Sequence, residues 1–427
     1  MTSTRKQAVL EANTRHVAPQ RVRFWEESHI PLVIDRRKDY FLWDIDGHRL
    51  YDLHLNGGTF NLGHRNTEVI ETLVEAASRY DIGNHHFPSM ARASFASALA
   101  DRAPGEMPFA VFASGGSEAV DIAIKTARAA TGRRRLVTLE QGYHGRTGLS
   151  GAAGEDGAAR YFLSDRPDEF IKVPFGDLEA IETTLHEDGD IAGVLIETVP
   201  ATYGFPVIPM GYLKGIADLC REHDILYIAD EVQAGLGRSG HLWAVEAHHI
   251  EPDILITAKG LSGGIYPIAA VLLTERVAGW LHEYGWGHVS TFGGSEIGCV
   301  VGEKVLEITT RPDVVSHVLE LSTAMRNELD SLQGSEPYLV EIRQLGLIMG
   351  LRFDHPDGAI YVQRELYERG VWAIASGFDH SVLQWKPGLL LELDEVGPIV
   401  DRLADAVASA KGHDYRVPRR HRLRSGE

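Results

Sequence analysis

The sequence predicts an α/β protein, a large domain with a mostly parallel central sheet flanked by helices, joined to a smaller α+β region. Three observations carry this. Between about residues 107 and 275, short and continuously apolar segments alternate with segments of helical periodicity. Strands apolar on both sides belong to a sheet covered on both faces, which is a parallel sheet. After residue 300 the pattern changes to long helical runs followed by strands such as "LIMGLRF".

The elements follow in order. "YFLWDIDGHRLYDLHL" places two apolar, aromatic runs around Asp46-Gly47, a hairpin signal. "FAVFA" reads as a buried strand leading into the helix "SEAVDIAIKTARAATG", whose Ala119, Val120, Ala123, Ile124 and Ala127 mark one face and whose Gly132 is a stop. "RLVTLE" and "IAGVLIE" read as further buried strands. "GYLKGIADLCREHD" is a helix with Leu213, Ile216 and Cys220 inward, feeding the strands "ILYIAD" and then "PDILITA". Beyond residue 300, "GEKVLEI" and "VSHVLELSTAMRNELDSL" are helical. The chain shows no internal repeat and no low-complexity linker.

Composition narrows the partners. The 427 residues suffice for one large or two ordinary domains, and 44% hydrophobic with 24% charged residues describes an ordinary globular protein. A net charge of −18 repels phosphate backbones, so nucleic acid is not expected as a partner. No apolar stretch approaches the roughly 20 residues that cross a bilayer, so no membrane is expected either. The first residues carry no apolar block of a secretory signal. Cys220 and Cys299 sit in no metal-ligand spacing, so no metal and a reduced, cytoplasmic compartment are expected. The last twelve residues hold five arginines and read as a solvated, disordered tail.

Ligands of parallel sheets bind beyond the carboxyl ends of the strands, and four strand ends here carry unusual chemistry. After "AVFA", Ser114-Gly115-Gly116-Ser117 opens a helix. The loop reads as a phosphate seat or, taken alone, more simply as an N-cap by Ser117 with Glu118 in the first turn. After "ILYIA" stand Asp230 and Glu231, carboxylates that need a cation or several donors if buried; a plain salt bridge serves equally. After "RLVTLE", the segment "QGYHGRTG" offers Tyr143 to stack on a flat ligand and Arg146 to hold a carboxylate; core filling and surface pairing are the plainer alternatives. After "DILITA" stands Lys259, in a glycine-rich bend where a desolvated amine becomes a nucleophile toward a carbonyl. Together the four describe a site for an aldehyde with a phosphate, a flat ring and a ring nitrogen needing an acid, which is pyridoxal 5'-phosphate.

The segments "GGSEAVDIAIKTAR", "YHGRTG", "DEVQAGLGRSG", "ITAKGLSGG" with "YPIAAV", and "STFGGSE" resemble the signatures of the class III, ω-type, pyridoxal-phosphate-dependent aminotransferases of fold type I, over roughly residues 40 to 410. The resemblance implies a small domain built from both chain ends. Its boundaries would be an N-terminal segment at 1–58, a large cofactor-binding domain at 59–299, a C-terminal small domain at 300–415 and the basic tail at 416–427. It implies that Lys259 forms the Schiff base and moves a proton, and that Asp230 pairs with the ring nitrogen. Val232 and Tyr143 would cover the two ring faces, and Gln233 would meet the ring hydroxyl. Gly116 and Ser117 would bind phosphate, with Thr291 given by the neighbouring subunit of a homodimer whose active sites are shared. Arg146 would hold a substrate carboxylate, and Glu197 would stand just behind the site.

Three positions depart from the ornithine-type pattern. Thr202, in "ETVPAT", replaces a gating glutamate, and Gln384, in "QWKPG", replaces an arginine, so that use of a dicarboxylate by that route is not expected unless Lys386 substitutes. Ser295-Glu296 stands for the usual "NP". The resulting expectation is an aminotransferase that moves an amino group from an amino acid or ω-amine to a 2-oxo acid by ping-pong chemistry. The segments Asn56–His64 and Gly83–Phe87 are expected to line the pocket, with His85 or His86 at the substrate or in interface hydrogen bonds. Epimerase, decarboxylating transaminase and phospho-lyase chemistry on the same framework form the alternative. A non-catalytic module that has kept the fold is a third reading, and the intact Lys259, Asp230 and Arg146 set speaks against it. A nicotinamide dehydrogenase is poorer still, because no GxGxxG follows an early strand.

Overall fold

The computed structural model describes residues 3–83, 86–163, 165, 168–413, 415 and 417. The hairpin at Asp46-Gly47 forms: β1 (Ile34–Lys38), β2 (Phe41–Asp44) and β3 (Arg49–Asp52) pair antiparallel, with Phe41 opposite Tyr51. Gly47 turns the chain at a φ of 90°, a left-handed angle that glycine takes at no steric cost.

Seven strands make the large sheet: β4 (Phe109–Ala113), β5 (Arg135–Leu139), β6 (Phe170–Val173), β7 (Ile191–Glu197), β8 (Leu226–Asp230), β9 (Ile254–Thr257) and β10 (Ala269–Leu273). Their order is β4-β10-β9-β8-β7-β5-β6. Neighbours from β9 to β6 are parallel, and β10 runs antiparallel to both β9 and β4. The carboxyl ends of all strands but β10 therefore share one edge. Every residue of β7 is buried, with Val194 and Ile196 in one core and Ala192 and Leu195 in the other. On a sheet covered on both faces either side of a strand meets a core, which is why this strand is apolar throughout. Each such buried aliphatic side chain contributes about 1.5–3 kcal/mol. The helix Gly116–Thr131 buries the face read from its sequence and ends at Gly132, whose φ is 69°. The helix Tyr212–Glu222 likewise buries Leu213, Ile216 and Cys220.

The second unit contains β11 (Leu339–Leu345), β12 (Ile348–Phe353), β13 (Val371–Trp372), β14 (Ile374–Ala375) and β15 (Val382–Trp385). Four of these form the sheet β11-β12-β15-β14, while β13 pairs in parallel with β3. A single core unites Tyr40, Tyr51 and Leu53 with Leu351, Trp385 and Leu403, so both ends of the chain build the smaller unit. The helix Glu296–Thr309 runs unbroken through position 300 and serves both units: Cys299 and Leu306 pack against the large sheet, Val301 and Val305 against the small one. Among the described residues no helix is long and apolar enough to cross a membrane. Of the basic tail, positions 416 and 418–427 lie outside the described residues.

Candidate active site

Loops leaving the carboxyl edge of the large sheet meet around one cavity of about 170 Å³. Its lining is Gly116 and Ser117 after β4, Tyr143, His144 and Gly145 after β5, Glu197 at the end of β7, Asp230, Val232 and Gln233 at the end of β8, and Lys259 after β9. Eight of the ten residues singled out in the sequence line this one space. Arg146 and Thr291 do not.

Lys259 enters a short 3₁₀ turn at a φ of 42°, a left-handed angle uncommon for a residue with a side chain. Burial pushes its ammonium pKa below the usual lysine value, against the opposing pull of Asp230 and Glu197. Gly57 closes over it from the N-terminal segment. A Cβ on Gly57, whose φ is 73°, would lie 3.2 Å from Lys259 Cε and 3.1 Å from Gln233 Oε1. Of the Asn56–His64 segment, this glycine is what reaches the lysine and its neighbouring glutamine.

The carboxylates divide by side of the sheet. Asp230 is buried, accepts from the Val232 N–H at 3.1 Å and sits 2.7 Å from His144 Nδ1. The second nitrogen of His144, Nε2, is buried with no partner. Glu197 accepts from the Tyr143 and Ala201 N–H groups at 3.0 and 3.2 Å. Burial raises its carboxyl to about 7; His144 draws it down and Asp230 adds to the rise. Glu231, next to Asp230, points the other way. It accepts from the Thr198 hydroxyl at 2.6 Å and from the Ala244 and Val245 N–H groups at 2.9 and 3.0 Å, and burial raises it to about 7 as well. Glu231 is therefore a fastener of the fold, and Asp230 alone of the pair faces the cavity.

At the start of the helix Gly116–Thr131 the cap is Gly115, with no side-chain hydrogen bond, so Ser117 is not the N-cap. Glu118 instead reaches back to Ser114, accepting from its N–H at 2.8 Å and its hydroxyl at 2.6 Å. The N–H groups of Gly116 and Ser117 have no partner within the helix, and both residues line the cavity, where an anion would meet the helix dipole.

Arg146 is exposed. Its Nη1 pairs with Glu155 Oε1 at 2.8 Å, and its guanidinium lies 5.1 Å from the Tyr143 ring centroid. Thr291 is exposed on the segment before the helix Glu296–Thr309. His86 is exposed beside Trp286, away from the cavity, and His85 lies outside the described residues. Ser295 has a plain structural account: it N-caps that helix, accepting from Gly298 N–H, while Glu296 takes the first helical position.

Gln384 reaches the residue before Thr202: its Nε2 donates to the carbonyl of Ala201 at 3.0 Å, and Lys386 Nζ donates to Gln384 Oε1 at 2.7 Å. Thr202 itself accepts, through its carbonyl, from the Phe378 N–H at 3.1 Å. The sequence did not give the partnership of His144 with Asp230 or the contact of Lys386 with Gln233; only the position of "YHG" at a strand end hinted at the first.

An enclosed amine, an uncapped helix N-terminus and a buried carboxylate with its histidine fit, in that order, the aldehyde, phosphate and protonated ring nitrogen of pyridoxal phosphate. This is the donor set of a cofactor-dependent enzyme of amino-group chemistry. The comparisons with known proteins agree: residues 24–407 match the family described as aminotransferase class-III. A protein of Archaeoglobus fulgidus described as an uncharacterized aminotransferase is 43% identical over 405 residues, covering 95% of each chain. Ornithine aminotransferase 2 of Staphylococcus saprophyticus is 30% identical, over 88% of this chain and 93% of that one. The crystal structure of the ornithine aminotransferase of Toxoplasma gondii superposes with a TM-score of 0.86 at 25% identity, covering 95% of this chain and 96% of that one. The chain belongs to the class III aminotransferases, which are pyridoxal-phosphate-dependent enzymes.

Proposed function

We propose that this protein moves an amino group from an amino acid or ω-amine to a 2-oxo acid in two half-reactions through one cavity, with Lys259 as the covalent tether. The observation that carries the proposal is the meeting of Lys259, Asp230 and the Gly116–Ser117 turn around that cavity. Bound there, pyridoxal phosphate supplies an aldehyde for amine capture and a cationic ring that withdraws electrons from the adjacent carbon. Lys259 brings an amine that burial shifts toward its neutral, nucleophilic form, and the same nitrogen takes and returns the proton at the substrate Cα. Asp230 accepts from the ring nitrogen, while His144 and the Val232 N–H fix its orientation. Tyr143 and Val232 close the two faces, and Gly116 with Ser117 holds the phosphate. Arg146 takes a substrate carboxylate after leaving Glu155, and Thr291 completes the phosphate seat across a homodimer interface. A cytosolic setting, favoured by the unpaired and buried Cys220 and Cys299, belongs to the same reading.

Borohydride reduction of the holoprotein followed by peptide mapping tests the tether: the expected adduct is on Lys259, and an adduct elsewhere overturns the assignment. Amines and amino acids are then added without acceptor. A transaminase releases one oxo compound per site and leaves the cofactor aminated. An epimerase instead exchanges the Cα hydrogen with solvent and releases no oxo acid, an outcome that would replace the proposed reaction.

A further inference from the structure

Behind the Gln233 wall of the cavity lies a buried lysine that the reaction above does not use. Lys386 is 1% exposed. Its Nζ donates to Gln384 Oε1 at 2.7 Å and to Gln233 Oε1 at 3.2 Å, and it stands 5.6 Å from the Phe205 ring centroid. Among the described residues it forms no ion pair with a carboxylate; burial, then Arg238 and Lys259, hold its pKa well below the usual lysine value, and Asp52 opposes them. Gln384 is buried and holds the Ala201 carbonyl through its Nε2, so turning its amide would lose that bond and the one to Lys386 together. The chain of contacts thus runs from the Ala201 carbonyl through Gln384 and Lys386 to the cavity lining.

Lys386 Nζ donates to the fixed Gln384 oxygen and donates to Gln233 as well, so the amide of Gln233 gives the lysine its oxygen. The two N–H donors of Gln233 are then what its amide has left for the cavity. We propose that Lys386, held by Gln384, is a positioning residue that locks Gln233 with its N–H donors turned toward the cofactor, where they meet an anionic ring oxygen. This rests on the functional reading above and adds to it a residue from the smaller unit. An apolar residue at 386 would free Gln233 to turn either end inward, and an inward carbonyl would oppose an anion.

The test is a pH titration of the visible absorbance of the protein reconstituted with pyridoxal phosphate, in Lys386→Met, Gln233→Met and the double variant. Loss of an oriented donor to a charged oxygen should raise the absorbance midpoint by about one pH unit in each single variant. The double variant should shift no further than Gln233→Met, and Lys386→Arg should restore most of the wild-type midpoint. If Lys386→Met shifts the midpoint equally with and without Gln233, Lys386 acts as a bare charge or as scaffold and the proposal falls. Gln384→Met, which keeps the lysine and removes its anchor, provides the same readout should Lys386→Met not fold; an unchanged midpoint there overturns the proposal. A wild-type protein with no chromophore on Lys259 is a different failure, that of the functional reading, and takes this inference with it.

Discussion

The floor and the rim of the cavity are built differently. At the floor, Asp230 is 4% exposed and His144 3%, and each bond of the carboxylate is short and internal. At the rim, the Arg146 side chain is 46% exposed and its partner Glu155 22%, an ion pair that water can replace. A buried hydrogen-bonded pair is costly to break because either partner is left without solvent, whereas an exposed ion pair contributes about 0–1 kcal/mol. On the proposed function, fixed chemistry would belong to the floor and choice of substrate to the rim.

Substitutions can break that contrast, beginning with the largest expected effect. Asp230→Asn should lower the rate with every substrate alike, by about 10²–10³-fold, as for loss of one preorganised partner of a developing charge. A loss confined to some substrates, measured as kcat/KM across a panel, would show the floor taking part in selection. Arg146→Ala should cost carboxylated substrates about 10–100-fold and simple amines little, the size of one charge-assisted hydrogen-bonding pair. Equal losses for both kinds would remove Arg146 from recognition.

Stability carries a further difference. The carboxyl of Glu197, raised to about 7 from an ordinary 4.5, keeps its proton in the folded protein over a range where the unfolded chain has lost it. That stabilisation is complete below about pH 4.5 and is lost as pH rises through about 7. Glu197→Gln should flatten the decline in urea-unfolding free energy over this window by on the order of 3 kcal/mol, leaving the slope due to Glu231. A decline as steep as in the wild type would mean that Glu197 titrates normally. Smallest of all, Glu155→Ala should lower KM for carboxylated substrates only a few-fold and change stability by less than about 1 kcal/mol. A large loss of stability would mark the Arg146–Glu155 pair as structural.

Much of the floor was legible because a parallel sheet gathers its strand ends on one edge. "TAKG", "IADE" and "FASGGS" could be assigned to one site without knowing any distance. What was not legible depended on direction. Adjacent carboxylates at 230 and 231 look alike in sequence, yet alternation along β8 sends one into the cavity and the other to Thr198, Ala244 and Val245. Lys386 could be noticed, but its contact with Gln233 joins residues 153 positions apart, in loops that leave different sheets. The helices Thr4–His16 and Pro19–Glu27 went unread because they bury almost nothing: Lys6 and Leu10 in the first, no residue in the second. A helix with no apolar stripe leaves no periodicity to detect. The "GGSE" departure had no account in the sequence, and in the structure Ser295 caps a helix.

The pairing of Val371 with Tyr51 has a consequence for biosynthesis. The partners are separated by roughly 320 residues, so at about 5–20 residues per second a ribosome leaves the first hairpin without its last neighbour for on the order of 15–60 s. Strands β4 to β10 are complete well before that, and the large sheet can form while the hairpin waits with Phe41 and Tyr51 uncovered. The amino-terminal ribbon, which carries Gly57 to the lysine, is then among the last parts to settle in the newborn chain.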